Sequence, residues 1–228
     1  MYAYAQPGAG CIKKERVCEA MDSYDMDAGA CAGTAGDSIY GNHLPELTAV
    51  MDEMTARLQA LREEGRKQDR DPIEHLLCRI KSEESMREKC RRRGLEETTE
   101  NALFNGEITD AIGLRVVCPF LNDVYRIRDL LVDDPQTELV QEKDYIRRAK
   151  PNGYRSLHLI LRVKGYYVEV QLRTISMDTW AALEHQMKYK KDISGNIDLI
   201  TRELKRCADE LAATDVSMQT LRDLIDGK

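Results

Sequence analysis

The chain has 228 residues, 42% of them hydrophobic and 32% charged, with a formal net charge of −6. This is the balance of a water-soluble globular chain, large enough to bury a core without disulfides or metals. No apolar stretch approaches the roughly 20 residues of a membrane helix, and Lys13, Lys14, Glu15 and Arg16 interrupt any secretory signal, so the expected compartment is the cytosol. The acidic charge excludes a bulk nucleic-acid coat but leaves room for a local basic site.

Residues 1–42 hold six of the 14 glycines and little apolar periodicity, and read as a mostly disordered extension. From Pro45 the pattern changes. Leu47, Val50, Met54, Leu58 and Leu61 recur at helical spacing, which predicts an amphipathic helix over 46–64. Asp71-Pro72 reads as the start of a second helix running to about Arg93 and stopping at Gly94. Ile112–Cys118 is an apolar strand in which Cys118 is a small buried hydrophobe, and 122–132 is helical. Ser156–Val163 and Tyr166–Arg173 alternate as strands, joined by a tight turn at Lys164-Gly165. On the second strand Val168, Val170 and Leu172 face one way and Glu169, Gln171 and Arg173 the other.

A helix from about Met177 to Lys191 is followed by a break at Gly195-Asn196. The last segment carries Ile197, Ile200, Leu204, Cys207, Leu211, Thr214, Met218, Leu221 and Ile225 in alternating steps of three and four. That is a heptad seam, suited to packing on the chain's own first helix, to a subunit interface, or to both. The order of helices, strands and helices is α+β. It divides the chain into an extension at 1–42, a central domain at 43–195 and a C-terminal helix at 196–228. Seven cysteines, an odd count with no C-x-x-C pair, argue against a disulfide framework or a zinc site.

Several residues are suited to chemistry. Lys81, Ser85 and Lys89 share one face of the expected second helix. Two ammonium groups around a hydroxyl suit an oligophosphate; a solvated surface with Glu84 and Glu88 pairing the lysines is the plainer reading. Asp110, just before a strand that contains Arg115, has the chemistry of a Mg²⁺ ligand, although an acid there also serves as a turn or cap. Residues 143–158 contain Lys143, Arg147, Arg148, Lys150 and Arg155 around a Pro151-Asn152-Gly153 turn, with no acid from 145 to 158. In such a loop the cations take phosphates and Tyr154 stacks on a base. Glu169 and Gln171 stand on the polar face of their strand, either in solvent or over a site.

Taken together, these pieces resemble the RelA/SpoT-type alarmone synthetases over about residues 72–191. The resemblance rests on five ordered motifs: Arg79-Ile-Lys81 with Ser85 and Lys89; Asp110–Arg115; Asp144-Tyr-Ile with Lys150–His158; Val168–Thr174; and Trp180–His185 with Lys188-Tyr-Lys190. The short chain and flanking helices look like the small, RelQ-like branch. The resemblance implies a nucleotidyltransferase-like α+β fold, a mixed sheet of about five strands flanked by helices. It implies a GTP/GDP diphosphokinase that moves the β,γ-pyrophosphate of ATP to the 3′-OH of GDP or GTP and releases AMP.

By matching positions, Arg79 and Arg115 would clamp adenine, and Lys81, Ser85 and Lys89 would hold the ATP phosphates. Asp110 and Glu169 would bind Mg²⁺, with Glu169 also orienting or deprotonating the 3′-OH and Gln171 supporting it. Tyr154 would stack on guanine, and Lys150, Asn152, His158 and Lys143 would contact the acceptor or the transferred phosphates. ATP and GTP bring about seven to eight negative charges. Seven cationic side chains at 79, 81, 89, 115, 143, 150 and 155, with Mg²⁺, offset them. The resemblance further implies a homo-oligomer, a tetramer, regulated by a bound alarmone or single-stranded RNA.

No His-Asp dipeptide occurs in the chain, so hydrolysis of the product is not expected. Gln141-Glu-Lys-Asp144 lacks the Arg of an Arg-x-Lys-Asp signature, which leaves GMP, GDP and GTP open as acceptors. Two other readings stand beside this one: pyrophosphate transfer to adenine nucleotides or tRNA, and a non-catalytic nucleotide or RNA sensor.

Overall fold

A computed structural model of the chain describes residues 38–68, 70–189 and 197–227. Most of the expected extension lies outside these residues. Within it, Ile39 and Tyr40 are buried in the core and the Tyr40 hydroxyl donates to the Lys81 carbonyl oxygen at 2.6 Å, so residues 38–42 belong to the folded unit.

The elements in chain order are α1 (Leu44–Lys67), β1 (His75–Ile80), α2 (Glu83–Arg93), α3 (Thr99–Leu103), β2 (Ile112–Cys118), α4 (Leu121–Val132), β3 (Thr137–Asp144), β4 (Leu157–Val163), β5 (Tyr166–Thr174), α5 (Ile175–Tyr189) and α6 (Ile197–Ile225). The five strands form one mixed sheet in the order β1-β2-β5-β4-β3. Only β2 and β5 run parallel; the other pairs are antiparallel. This is the α+β architecture expected from the sequence. Among the described residues no helix is long and apolar enough to cross a membrane.

The second helix begins later than its sequence suggests. His75–Ile80 is an edge strand paired with β2, and α2 starts only after Ser82, whose hydroxyl accepts from the Ser85 backbone N–H at 3.3 Å. Gly94 closes the helix in the left-handed conformation at φ 70°, where a glycine carries no Cβ penalty. Lys81 therefore precedes the helix and does not share a helical face with Ser85 and Lys89. The strand β3 and the short α3 had no counterpart in the sequence reading. The turn at Lys164 (φ 51°) and Gly165 (φ 88°) is the expected tight hairpin between β4 and β5.

One face of the sheet is the core. Leu114, Val116, Leu157, Leu159, Leu161, Val168, Val170 and Leu172 are fully buried there together with Leu47, Met54 and Leu58 of α1 and Val124 and Ile127 of α4. Burying a Leu or Val side chain is worth about 1.5–3 kcal/mol, so this layer dominates the stability. It also leaves the alternate residues of each strand on the opposite face, where the polar side chains stand.

The long helix α6 packs chiefly on α5 and α4 rather than on α1. Its buried positions are Leu204, Ala208, Asp215 and Gln219, steps of four and seven that drift off the heptad seam. Polar contacts fix it. The Thr174 hydroxyl donates to Asp215 Oδ2 at 2.6 Å, the Asn122 backbone N–H donates to Gln219 Oε1 at 3.0 Å, and Arg222 pairs with the buried Asp123 at 2.5 Å. The later part of the seam turns outward, leaving Met218, Leu221 and Ile225 exposed.

Candidate active site

The register places the polar face in rows. Arg79 of β1, Gly113 of β2 and Glu169 of β5 are aligned, with Ile160 of β4 beyond them. The next row aligns Arg115, Gln171, His158 and Lys143 across β2, β5, β4 and β3. Because paired residues point to the same side of a sheet, this one face carries both arginines of the expected adenine clamp and the carboxylate of Glu169. Gly113, having no side chain, leaves the floor open between Arg79 and Glu169. Lys143 shares the face but stands exposed on the far edge strand.

At one end of the face, three chain segments meet. Lys81 follows β1, Lys89 is on α2, and Asp110 precedes β2. Asp110 Oδ2 accepts from Lys81 Nζ at 3.3 Å and from Lys89 Nζ at 2.6 Å. All three side chains are largely buried, at 16%, 13% and 17% exposure for Asp110, Lys81 and Lys89. The other carboxylate oxygen, Oδ1, is buried with no hydrogen-bond partner among the described residues. Burial works against the Asp110 charge, but the two ammonium groups outweigh it and hold its pKa below the usual carboxylate range. Lys81 and Lys89 thus converge on one carboxylate, from a strand end and a helix rather than from one helical face. Ser85 stands one turn before Lys89 on α2.

Glu169 is similarly poised. Burial raises its pKa, yet the contact with His158 Nδ1 at 3.3 Å outweighs burial and the repulsion from Asp110, and the net shift is downward. Both carboxylates are therefore ionised at neutral pH and feel each other's charge. Two ionised carboxylates that influence each other beside a cationic site have the chemistry to hold Mg²⁺, which would take hard oxygen ligands and complete its shell with water or phosphate oxygens. The buried Oδ1 of Asp110, without a hydrogen-bond partner among the described residues, is an oxygen that could serve as a ligand to such an ion.

From Glu169 a chain of contacts runs into the loop between β3 and β4. His158 Nε2 and the Tyr154 hydroxyl are 2.8 Å apart. The buried Arg173 donates to that same hydroxyl at 2.9 Å, to Gln171 Oε1 at 3.0 Å and to Asp178 Oδ1 at 3.0 Å. Asp178 also lies 3.5 Å from Arg115. The Lys150 ammonium sits over the rings of Tyr145 and Tyr154, at 4.6 and 4.8 Å from their centroids. Asn152 accepts the Tyr154 backbone N–H at 3.2 Å and donates to Glu184 at 3.2 Å.

The structure thus links Glu169 through His158 to Tyr154, and Tyr154 in turn to Lys150 and Asn152, while Gln171 stands beside Glu169 on the same strand face. It adds Arg173, Asp178 and Tyr145, which the sequence reading did not single out as site residues. Arg173 was legible in principle: it continues the Glu169, Gln171 alternation by two residues onto the same face. Asp178 needs the fold, because it arrives from α5. Lys190 lies outside the described residues.

The signature described as the region found in RelA / SpoT proteins matches residues 78–194. This chain belongs to the RelA/SpoT family. Within that family, it is 39% identical over 166 residues to a protein of Bacillus subtilis (strain 168) named GTP pyrophosphokinase YwaC, spanning 68% of this chain and 77% of that one. The crystal structure of the small alarmone synthetase 2 from Bacillus subtilis is 34% identical, with a TM-score of 0.69 over 80% of this chain and 97% of that one. The small alarmone synthetase 1 from the same organism, solved bound to its product pppGpp, is 27% identical, again with a TM-score of 0.69, over 80% of this chain and 96% of that one. The five-stranded mixed sheet, its flanking helices and the long terminal helix are the fold of these small family members.

Proposed function

We infer that the chain is a GTP pyrophosphokinase, transferring the β,γ-pyrophosphate of ATP to the 3′-OH of GDP or GTP to yield AMP and ppGpp or pppGpp. The observation that carries this reading is the Lys81–Asp110–Lys89 cluster beside the ionised Glu169 on one open sheet face. In phosphoryl transfer the protein mainly positions two reactants and neutralises charge. Here Arg79 and Arg115 hold the adenine, and Lys81, Ser85 and Lys89 hold the ATP phosphates. Asp110 and Glu169 are the residues that would hold Mg²⁺, which supplies Lewis-acid stabilisation of the phosphates.

The acceptor comes from the loop side. Stacking of guanine on Tyr154 displaces the Lys150 ammonium from the ring and releases it toward phosphate. Asn152, His158, Gln171 and Lys143 complete the acceptor contacts. Glu169 takes the 3′-OH proton as the oxygen–phosphorus bond forms to the β-phosphorus and the bond to the departing AMP breaks. A binding-only module has no use for two carboxylates beside an oligophosphate, which they repel.

The test is a product assay with Mg²⁺ and γ-labelled ATP, offering GMP, GDP, GTP, ADP and tRNA separately. Label appearing on a guanine nucleotide with AMP released is the expected result. Label on adenine nucleotide or tRNA alone, or no transfer, overturns the reading.

We also propose self-association, as a tetramer, through the outward stretch of α6 at Met218, Leu221 and Ile225, large apolar side chains exposed on a folded surface. Light scattering is expected to report a multiple of the chain mass; the mass of one chain across micromolar concentrations would refute this.

A further inference from the structure

The loop that presents Lys150, Asn152 and Tyr154 does not stand by itself. Its turn is closed internally, by the Gly153 backbone N–H to the Lys150 carbonyl oxygen at 2.8 Å and the Lys150 N–H to the Tyr154 carbonyl oxygen at 3.1 Å. Gly153 adopts φ +95° and rests directly on α6. A Cβ at this position would come within 2.6 Å of the Ala208 Cβ and 3.0 Å of the Lys205 Cα, so only glycine permits the approach. Behind it, Arg155 reaches in two directions. One guanidinium nitrogen donates to the Gly153 carbonyl oxygen at 3.1 Å, and the other donates to Asp209 Oδ1 at 2.8 Å. Asp209 is itself braced from its own helix by Lys205 at 2.6 Å. The Tyr154 ring packs against the cluster of Trp180, Leu204 and Ala208 that joins α5 to α6.

The helix under the loop is anchored to the strand that bears Glu169, through Thr174 at the strand end and Asp215. A continuous path of contacts therefore leads from the strand that bears Glu169, through α6, to the tip of the loop. Its last link is the ion pair between Asp209 and Arg155. Asp209 lies beyond residues 78–194, the span that matches the family signature.

We propose that Asp209 is a positioning residue for the acceptor nucleotide: through Arg155 it holds the 150–154 turn at the height and angle from which Lys150, Asn152 and Tyr154 meet the guanine nucleotide. The proposal rests on the reading of this loop as the acceptor site. Asp209 acts at a distance and touches neither substrate, so its loss should weaken acceptor binding and leave the ATP side alone. The Arg155 side chain is 17% exposed and Asp209 43%, a half-buried pair.

The experiment compares the full chain with Asp209→Ala, Asp209→Glu and Tyr154→Ala, measuring KM for GDP and for ATP, kcat and the melting temperature. Asp209→Ala is expected to raise the GDP KM about fivefold, the ratio that about 1 kcal/mol of lost ion pairing produces. The ATP KM should stay within twofold, and Asp209→Glu, which keeps the charge, should recover most of the loss. A GDP KM within twofold of the parent in Asp209→Ala, while Tyr154→Ala raises it, overturns the proposal and leaves the acceptor-site reading intact. Equal rises in both KM values with a lowered melting temperature also overturn it, since they mark general destabilisation. A GDP KM unmoved by Tyr154→Ala overturns the acceptor-site reading and the proposal with it.

Discussion

Glu169→Gln is expected to lower kcat by about 10²–10⁴-fold, the range lost when a positioned general base is removed, while ATP and GDP still bind. The substitution is nearly isosteric. It sits in the middle of β5, in register with Gly113 and Ile160, and a glutamine oxygen still meets His158. What it removes is the charge. Nucleotide affinity measured by equilibrium binding beside single-turnover transfer separates the two effects; a kcat within threefold of the parent excludes Glu169 as the base.

The same residue sets a pH expectation. Its folded pKa lies below the ordinary 4.5 because the His158 contact outweighs burial. A depressed carboxylate pKa stabilises the fold above its unfolded value, and that contribution disappears as pH falls through the folded value. The base therefore stays ionised throughout the neutral range, and any activity loss that traces to Glu169 falls on the acid side of 4.5.

How much of this was legible beforehand depends on what each segment packs against. Strands β4 and β5 read correctly because one face of each is fully buried and the other mostly polar, an alternation that is strict over Val168–Arg173 and is interrupted in β4 by the buried Ile160. Strand β1 did not. In His75-Leu-Leu-Cys-Arg-Ile80 the apolar residues at 76, 77 and 80 fit a helical stripe as well as a strand, and Pro72 supplies a helix-start signal. Pairing with β2 decides the matter, and no local pattern contains that information. Strand β3 is a mostly exposed edge with a register shift between Leu139 and Gln141, so it lacks both alternation and apolar content.

For Lys81 and Lys89 the residue types were legible as two cations set for one anion, but the geometry was not: they meet on Asp110 from a strand end and a helix, not from one helical face. The placing of α6 was harder. Its heptad seam points to coiled-coil packing, whereas the inward face is set by Asp215 and Gln219, polar residues whose partners, Thr174 and the backbone of Asn122, lie far off in the sequence.

Asp110→Asn should separate what the carboxylate does for the metal from what it does for the lysines. In the structure Asp110 gives one oxygen to both ammonium groups, and the other has no hydrogen-bond partner among the described residues. Neutralising it removes a ligand of the expected Mg²⁺ ion. Losing about 3 kcal/mol of transition-state stabilisation corresponds to a drop in kcat of about 10²-fold, and the effect of a metal acting on phosphate is at least of that order. The same change frees Lys81 and Lys89 from their internal counter-ion and removes a negative charge from the phosphate site. ATP binding measured in the presence of a chelator should therefore be equal to or tighter than in the parent, even as Mg²⁺-dependent turnover collapses. Two measurements check this: ATP affinity with and without Mg²⁺, and kcat at saturating Mg²⁺. Turnover within threefold of the parent excludes Asp110 as a metal ligand. A tenfold loss of metal-free ATP affinity shows instead that the carboxylate is needed to hold the two lysines in place for the phosphates.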